Sequence, residues 1–339
     1  MSEDFPALLK HVAGGETLDA EASARAFSEI MAGGVGEIEI AAFLTALAVR
    51  KPSVAEITGA VTAMRAAMKT VEAPPGALDL VGTGGDGHGT LNISSATCFV
   101  AAACGVPVAK HGNRNMSSKT GAADVLEALG VKIEISPQAA RACIEQTGVC
   151  FMFAQSFHPA MKHVAPVRRA LGFRTIFNLL GPLSNPARVK RQLLGVYALE
   201  WIEPVANVLA SLGTEKAWVV HGQDGLDELS ISDVTHVAAL DRGRIEVTKV
   251  APEDAGLPRW PLSAVKGGEA KENAAALTRL LDGEPGAYRD IVLLNAAAAL
   301  IVADKAENLR EGARLAAEAI DGGAAKRVLE KLIAVSNSP

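Results

Sequence analysis

The sequence predicts an α/β protein: a small all-helical domain plus a larger α/β domain with a mostly parallel central sheet covered by helices. Three observations predict it. The first seventy residues carry helical periods without strand alternation, a Pro-Pro-Gly linker follows them, and from Leu78 onward short apolar runs alternate with helical ones. With 339 residues the chain suits two domains at about 100–200 residues each, and 49% hydrophobic residues supply a sizeable core.

In the helical part, Leu18, Phe27, Ile30 and Met31 fall near one helical period, which Gly33-Gly34 ends. A second run covers Glu37 to Val49 and stops at Lys51-Pro52. Ser53-Val-Ala-Glu56 is a capping box, in which the Ser side chain accepts a first-turn N–H and the Glu reaches back. Ile57, Val61, Met64 and Met68 then form one apolar helix face, read as core. After the linker Glu72–Gly76, the pattern predicts strands at 78–81, 106–109, 131–135, 149–153, 217–220 and 291–293. Helices are predicted at 95–104, at 122–129 and from Pro137. Residues 210–216 and 243–250 fit neither pattern. The segment 154–185 breaks the alternation with His158-Pro159, Pro166, Gly181-Pro182 and Asn185-Pro186 and has a short helical stretch at 164–171. It is expected to return to the helical domain, at a domain junction where ligand clefts commonly lie. The domains are expected at 1–71, with the returning segment near 164–185, and at 77–163 together with 186–335.

Charge and composition exclude several classes. The net charge of −5 gives no global basic field for nucleic acid, and aromatics at 4% are too few for a base-stacking platform. Both long apolar stretches, 96–109 and 291–303, fall short of the ~20 residues that span a bilayer. The acidic N-terminus does not resemble a secretory signal. Cys98, Cys104, Cys143 and Cys150 form no C-x-x-C pair and read as reduced thiols. A cytoplasmic protein is expected, with neither nucleic acid nor membrane as partner.

Five constellations carry chemistry. Gly82-Thr-Gly-Gly-Asp-Gly87 follows a strand, and its glycines let backbone N–H groups approach an anion. It matches G-x-G-x-x-G by letters, but no acid stands between Asp86 and Asp124 where a dinucleotide fold needs one about 20 residues on. His88-Gly89 stands where a P-loop needs Lys-Ser/Thr. Asn92-Ile93-Ser94-Ser95 opens a helix; it is either an ordinary N-cap or a set of anion donors. Lys110-His111-Gly112-Asn113-Arg114, continuing through Asn115, Met116, Ser117, Ser118 and Lys119, lies at a strand's carboxyl end. It combines cations, hydroxyls and glycines as a site for a multiply charged phosphate ester would. Asp227-Glu228 is an acid pair in a Gly-containing loop, an ordinary surface pair or a Mg²⁺ site. Arg168, in the irregular segment, is either a surface residue or a partner for a carboxylate.

Together these stretches resemble the anthranilate phosphoribosyltransferase family. The similarity runs through G-T-G-G-D-G from Gly82, N-I-S-S from Asn92, K-H-G-N-R from Lys110 and S-S-K-T-G from Ser117. It continues in A-D-V-L-E-A-L-G from Ala123, H-P-A-M-K-H-V from His158, R-T-I-F-N-L-L-G-P-L-S-N-P from Arg174 and D-E-L-S from Asp227. The resemblance implies transfer of phosphoribose from phosphoribosyl pyrophosphate to the amine of anthranilate, with Mg²⁺, in a homodimer formed through the helical domain. It implies phosphoribosyl pyrophosphate contacts from Gly82, Gly85, Asp86, Thr90, Asn92 to Ser95, Lys110 to Ser118, and Ala122. It implies anthranilate contacts from Gly82, Asn113 and Arg168, and Mg²⁺ ligation by Ser94, Asp227 and Glu228. Ala122 departs from the small polar residue many members carry there, so any contact at that position is through backbone. His111 is either a proton relay or a structural histidine.

Displacement at an anomeric carbon builds positive charge on the sugar and negative charge on the leaving pyrophosphate, which the cation-rich loops suit. A neutral arylamine needs no strong base before attack, so positioning is expected to supply most of the acceleration. The rival enzyme reading is a nucleoside phosphorylase of related architecture, which the number of anion donors and the acid pair disfavour. A non-catalytic nucleic-acid binder is disfavoured by the net charge.

Overall fold

A computed structural model describes residues 4–114 and 120–338. Its N-terminal part is α1 (Phe5–Ala13), α2 (Ala20–Ala32), α3 (Glu37–Arg50) and α4 (Val54–Ala66). The caps follow from sequence. Asp19 accepts from Ala22 N–H at 2.7 Å. At α4, Ser53 Oγ accepts from Glu56 N–H while Glu56 accepts from Ser53 N–H at 2.8 Å. Glu56 is fully buried and also accepts from Leu18 N–H and pairs with Arg50 at 2.5 Å. It ties three helical segments together.

Among the described residues there is one seven-stranded sheet. Its strands are β1 (Leu78–Gly82), β2 (Val108–Gly112), β3 (Val149–Phe153), β4 (Arg191–Gly195), β5 (Lys216–Gly222), β6 (Thr235–Asp241) and β7 (Arg244–Val250). The order is β3-β2-β1-β4-β5-β6-β7; the pairs from β3 to β5 are parallel and β6 and β7 are antiparallel. One face packs on helices 93–103, 287–302 and 324–336 around Phe99, Val108 and Leu294. The other face contributes Leu194, Val219 and Ala238 to an apolar cluster shared with Phe27, Phe43, Leu47 and Val61 of the helical part. Val164, Val167, Ile176, Phe177 and Leu180 join that same cluster. Phe177 meets Phe27 edge-on at 5.8 Å, so the irregular segment does pack against the N-terminal helices.

Two expectations are corrected. Residues 131–135 form no strand: Val131 and Ile133 are buried and Lys132 and Glu134 exposed, but no strand pairs with them. The run at 291–293 lies inside helix Ala287–Val302, which is buried nearly all round and so loses its helical period. The central strand β4 and the β6–β7 hairpin carry no prediction. The cysteines are all unpaired, and Cys98, Cys143 and Cys150 are buried. Among the described residues no helix is long and apolar enough to cross a membrane.

Candidate active site

From β1 the chain builds β2 and β3 to one side, then returns to place β4 on the other. The carboxyl ends of β1 and β4 therefore form the switch-point crevice where open α/β sheets bind ligands. Gly82 and Gly195, paired in register there, leave room for one residue. A Cβ on Gly82 would stand 2.5 Å from Asp227 Oδ2, and one on Gly195 would stand 1.6 Å from the Asp227 carbonyl oxygen. Asp227 is thus seated in the crevice, buried, with Oδ2 accepting from Gly84 N–H at 2.7 Å. Gly84, Gly85, Gly87 and Gly89 all have φ between 60° and 81°, a winding only glycine adopts freely, so this loop needs its glycines.

The carboxylates repel one another. Burial, then Asp86 and Glu228, push Asp227 well above its ordinary range. Burial raises Glu228 to about 7, with Asp86 adding and Lys110 opposing. Ser94 supplies Glu228 with both backbone and side-chain hydrogen bonds. Lys110 is buried; its Nζ donates to Leu80 O at 2.6 Å and to Ser94 Oγ at 3.1 Å, which leaves one of three donors. This set fits a hard divalent cation, whose charge relieves carboxylates that otherwise favour protonation. Among the described residues no three His, Cys, Asp or Glu side chains form a ready metal cage. Mg²⁺ takes one or two carboxylates and completes its shell with water and phosphate, so it does not need such a cage.

On the β2 side, Asp79 is buried and accepts from His111 N–H at 3.1 Å. Burial raises Asp79 to about 6 against the pull of Lys110. The rings of His111 and His158 lie 5.0 Å apart, both buried, and neither Nε2 has a partner. Burial, then His158, hold His111 well below its usual range, and burial brings His158 down to about 4. Burial therefore favours the neutral form of both rings. Asn113 is exposed, and its Oδ1 accepts from Arg114 N–H at 2.8 Å. Arg114 pairs with Asp124 and, through two nitrogens, with Glu127. Ala122 opens helix Ala122–Ala128 and is half-buried. Asn115, Met116, Ser117, Ser118 and Lys119 lie outside the described residues. Arg168, on helix Ala165–Leu171, holds its guanidinium 5.5 Å from the Phe177 ring centre, and burial lowers its pKa.

Asn92 sits at the N-cap of helix Ile93–Ala103 but makes no side-chain cap. Its Oδ1 instead accepts from Asn273 Nδ2 at 2.9 Å, so the ordinary capping reading fails. Asn273 stands in the first turn of helix Ala270–Leu281, which follows a strap, 265–269, that the sequence reading missed. In it Val265 O accepts from Leu91 N–H, and Gly267 N–H donates to Gly89 O. Lys266 Nζ donates to His88 O, and Gly268 O accepts from Thr120 Oγ1. The strap thereby borders the glycine loop, the helix start and Thr120 alike. The Gly-Gly pair before a capped helix was its only sequence signal. Arg174 was also missed as a site residue: it donates to Gly85 O and stacks over Tyr197 at 4.5 Å.

Comparison with known proteins follows the same division. Residues 6–68 match the glycosyl transferase family, helical bundle domain, and residues 74–326 match the glycosyl transferase family, a/b domain. The chain is 58% identical over 333 residues to the anthranilate phosphoribosyltransferase of Rhodopseudomonas palustris strain HaA2, covering 98% of each chain. The crystal structure of anthranilate phosphoribosyltransferase from Thermus thermophilus superposes with a TM-score of 0.93 at 44% identity, covering 97% of this chain and 99% of that one. The Saccharomyces cerevisiae enzyme in complex with PRPP and Mg superposes with a TM-score of 0.90 at 29% identity, covering 99% and 98%.

Proposed function

The chain belongs to the anthranilate phosphoribosyltransferase family, and from that premise we infer that it transfers the phosphoribosyl group of 5-phosphoribosyl 1-pyrophosphate to the amine of anthranilate. The products are N-(5-phosphoribosyl)anthranilate and pyrophosphate, in tryptophan biosynthesis. The observation that carries the reading is the convergence at one switch point of a left-handed glycine loop, a buried lysine and a pair of crowded carboxylates.

The donor's phosphates lie against Gly82, Gly85, Asp86, Thr90, the 92–95 helix start, the run Lys110 to Ser118 and the backbone at Ala122. Ser94, Asp227 and Glu228 would hold Mg²⁺, which when bound would supply positive charge beside the pyrophosphate. Lys110 keeps Ser94 oriented and directs its remaining N–H into the same field. Gly82, Asn113 and Arg168 receive anthranilate, Arg168 pairing with its carboxylate. As the bond from nitrogen to the anomeric carbon forms, the bond from that carbon to pyrophosphate breaks. The ammonium that results gives up a proton, for which the neutral His111 ring has a lone pair. Most of the rate comes from holding two substrates in line across the cleft.

The helical domain comprises 1–71 with 164–185, on the strength of their shared apolar cluster. A second copy of the chain covers α3, whose Ile38 and Val49 are 86% and 83% exposed.

The test is loss of anthranilate fluorescence on adding phosphoribosyl pyrophosphate, with and without Mg²⁺. Mg²⁺-dependent loss with stoichiometric pyrophosphate release is expected. No loss from folded protein would overturn the reading, and release of base from a nucleoside with inorganic phosphate would then identify a phosphorylase.

A further inference from the structure

We infer that Asn273 is a positioning residue for the sugar-phosphate donor: it fixes the orientation of the Asn92 carboxamide so that Asn92 presents N–H groups, not oxygen, to the phosphates. The inference rests on the donor site proposed above and concerns a residue outside every motif that pointed to it.

The argument is a chain of obligatory donors and acceptors. It starts at Gly268 N–H, a backbone group that only donates. That N–H reaches the Asn273 carboxamide at 2.7 Å, so the atom it meets must be Oδ1. Asn273 is 1% exposed, so its other end, Nδ2, must find an acceptor inside the protein. The group it meets at 2.9 Å is the Asn92 carboxamide, which must therefore offer Oδ1. Asn92 is left with Nδ2 on its unengaged side. The orientation of two amides, ambiguous when either is taken alone, is settled by one backbone N–H.

The rest of the surroundings hold this geometry in place. Tyr288 OH donates to the Asn92 carbonyl at 3.1 Å. Gly267 approaches so closely that a Cβ there would stand 2.6 Å from Thr90 O. The strap thus reaches Asn92 without a side chain in the way. An amide that faces phosphate with its oxygen repels it; one that faces it with two N–H groups binds it. Asn273 sets which of these the donor meets.

The test compares Asn92→Ala with Asn273→Asp in the full-length enzyme. In Asn273→Asp one carboxylate oxygen still accepts from Gly268 N–H. The other meets Asn92, which must turn its Nδ2 inward and its oxygen toward the cleft. The donor KM is expected to rise at least about tenfold in both variants, with the anthranilate KM and kcat within about twofold of wild type. An unchanged donor KM in Asn92→Ala would remove Asn92 from the donor site. A raised donor KM in Asn92→Ala with an unchanged one in Asn273→Asp would overturn the relay alone. Equal rises in both KM values would mean a merely structural role and also overturn it. Should Asn273→Asp fail to fold, asparagine-selective ¹⁵N NMR of the wild type decides. Donor with Mg²⁺ should shift the Asn92 side-chain NH₂ resonances, and their invariance would overturn the inference.

Discussion

Arg168 stacks on Phe177 instead of pairing with an acid: among the described residues no carboxylate neutralises it. Half-buried and unpaired, such a guanidinium is kept ready for an incoming anion. Arg168→Ala should raise the anthranilate KM by about 30- to 100-fold, the loss of one charge-assisted bidentate contact, and leave the donor KM within about threefold. Steady-state kinetics with each substrate varied in turn would check it, and equal effects on both substrates would count against the assignment. The histidine pair makes a second prediction. An unfolded histidine takes its proton near pH 6.5, whereas burial holds His158 neutral down to about 4. Between those values the unfolded state binds the extra proton, so stability falls as pH drops through the window and is retained above it. The raised Asp79 and Glu228 carboxyls act with the opposite sign in the same window. Between about pH 7 and about pH 5 the urea midpoint of the wild type should therefore fall relative to that of His158→Gln. Identical slopes would remove His158 as the cause. At this scale the sequence revealed the residues that advertise themselves: glycines, cations and the acid pair. It concealed residues that act through partners distant in the chain, such as Asn273 with Asn92, Arg174 with Gly85 and Asp79 with His111. Nothing local distinguishes a surface Asn from one whose carboxamide closes a buried relay.

The capping box of α4 shows how a local device becomes a tertiary one. Burial alone would raise the Glu56 carboxyl, but Arg50 and the N–H groups of Ser53 and Leu18 outweigh it and lower its pKa. A depressed folded value means a contribution present above the unfolded value of about 4.3 and lost only as pH falls further. This window is separate from that of His158. Glu56→Gln keeps the box but leaves Arg50, whose side chain is 17% exposed, without its counter-ion. It should cost about 2–4 kcal/mol of unfolding free energy at neutral pH, measured by urea denaturation; a loss under about 0.5 kcal/mol would mean the pair contributes nothing. The box was legible because its chemistry is local. Strands were legible where apolar runs were bounded by turns, as at β1, β2, β3 and β5. The errors have one physical origin: a short apolar run reports burial, not conformation. Ile291–Leu293 is buried as helix, and Val131–Ile135 has correct alternation with no neighbour to pair. In β4, Gln192 interrupts the apolar run although it is buried and donates to Pro182 O, so the central strand was hidden by one buried polar side chain.

At the scale of the whole molecule, the two apolar clusters account for how the cleft is held. One lies within the α/β part and takes in Val71 beside the linker, while the other joins the N-terminal helices, the 164–183 segment and one sheet face. Arg168 and Arg174 ride on that joining segment, so the acceptor side and the clamp on the glycine loop are carried by the element that links the domains. That leaves α3 with a face the fold does not use. Ile38, Ala42, Thr45 and Val49 recur at helical spacing along it, and Ile38 and Val49 are the most exposed of the large apolar side chains among the described residues. Burying each is worth about 1.5–3 kcal/mol, and a stripe meeting its own copy about a two-fold axis buries both pairs at once. Light scattering should therefore give the wild type twice its 35.1 kDa chain mass, and Ile38→Glu with Val49→Glu should give the chain mass itself. All the proposed site residues come from one chain, so this double variant should keep its turnover within about threefold. A wild type that runs at the chain mass, or a double variant that stays a dimer, would show that α3 is not the interface. Loss of turnover in step with loss of the dimer would show instead that the partner helps hold the cleft.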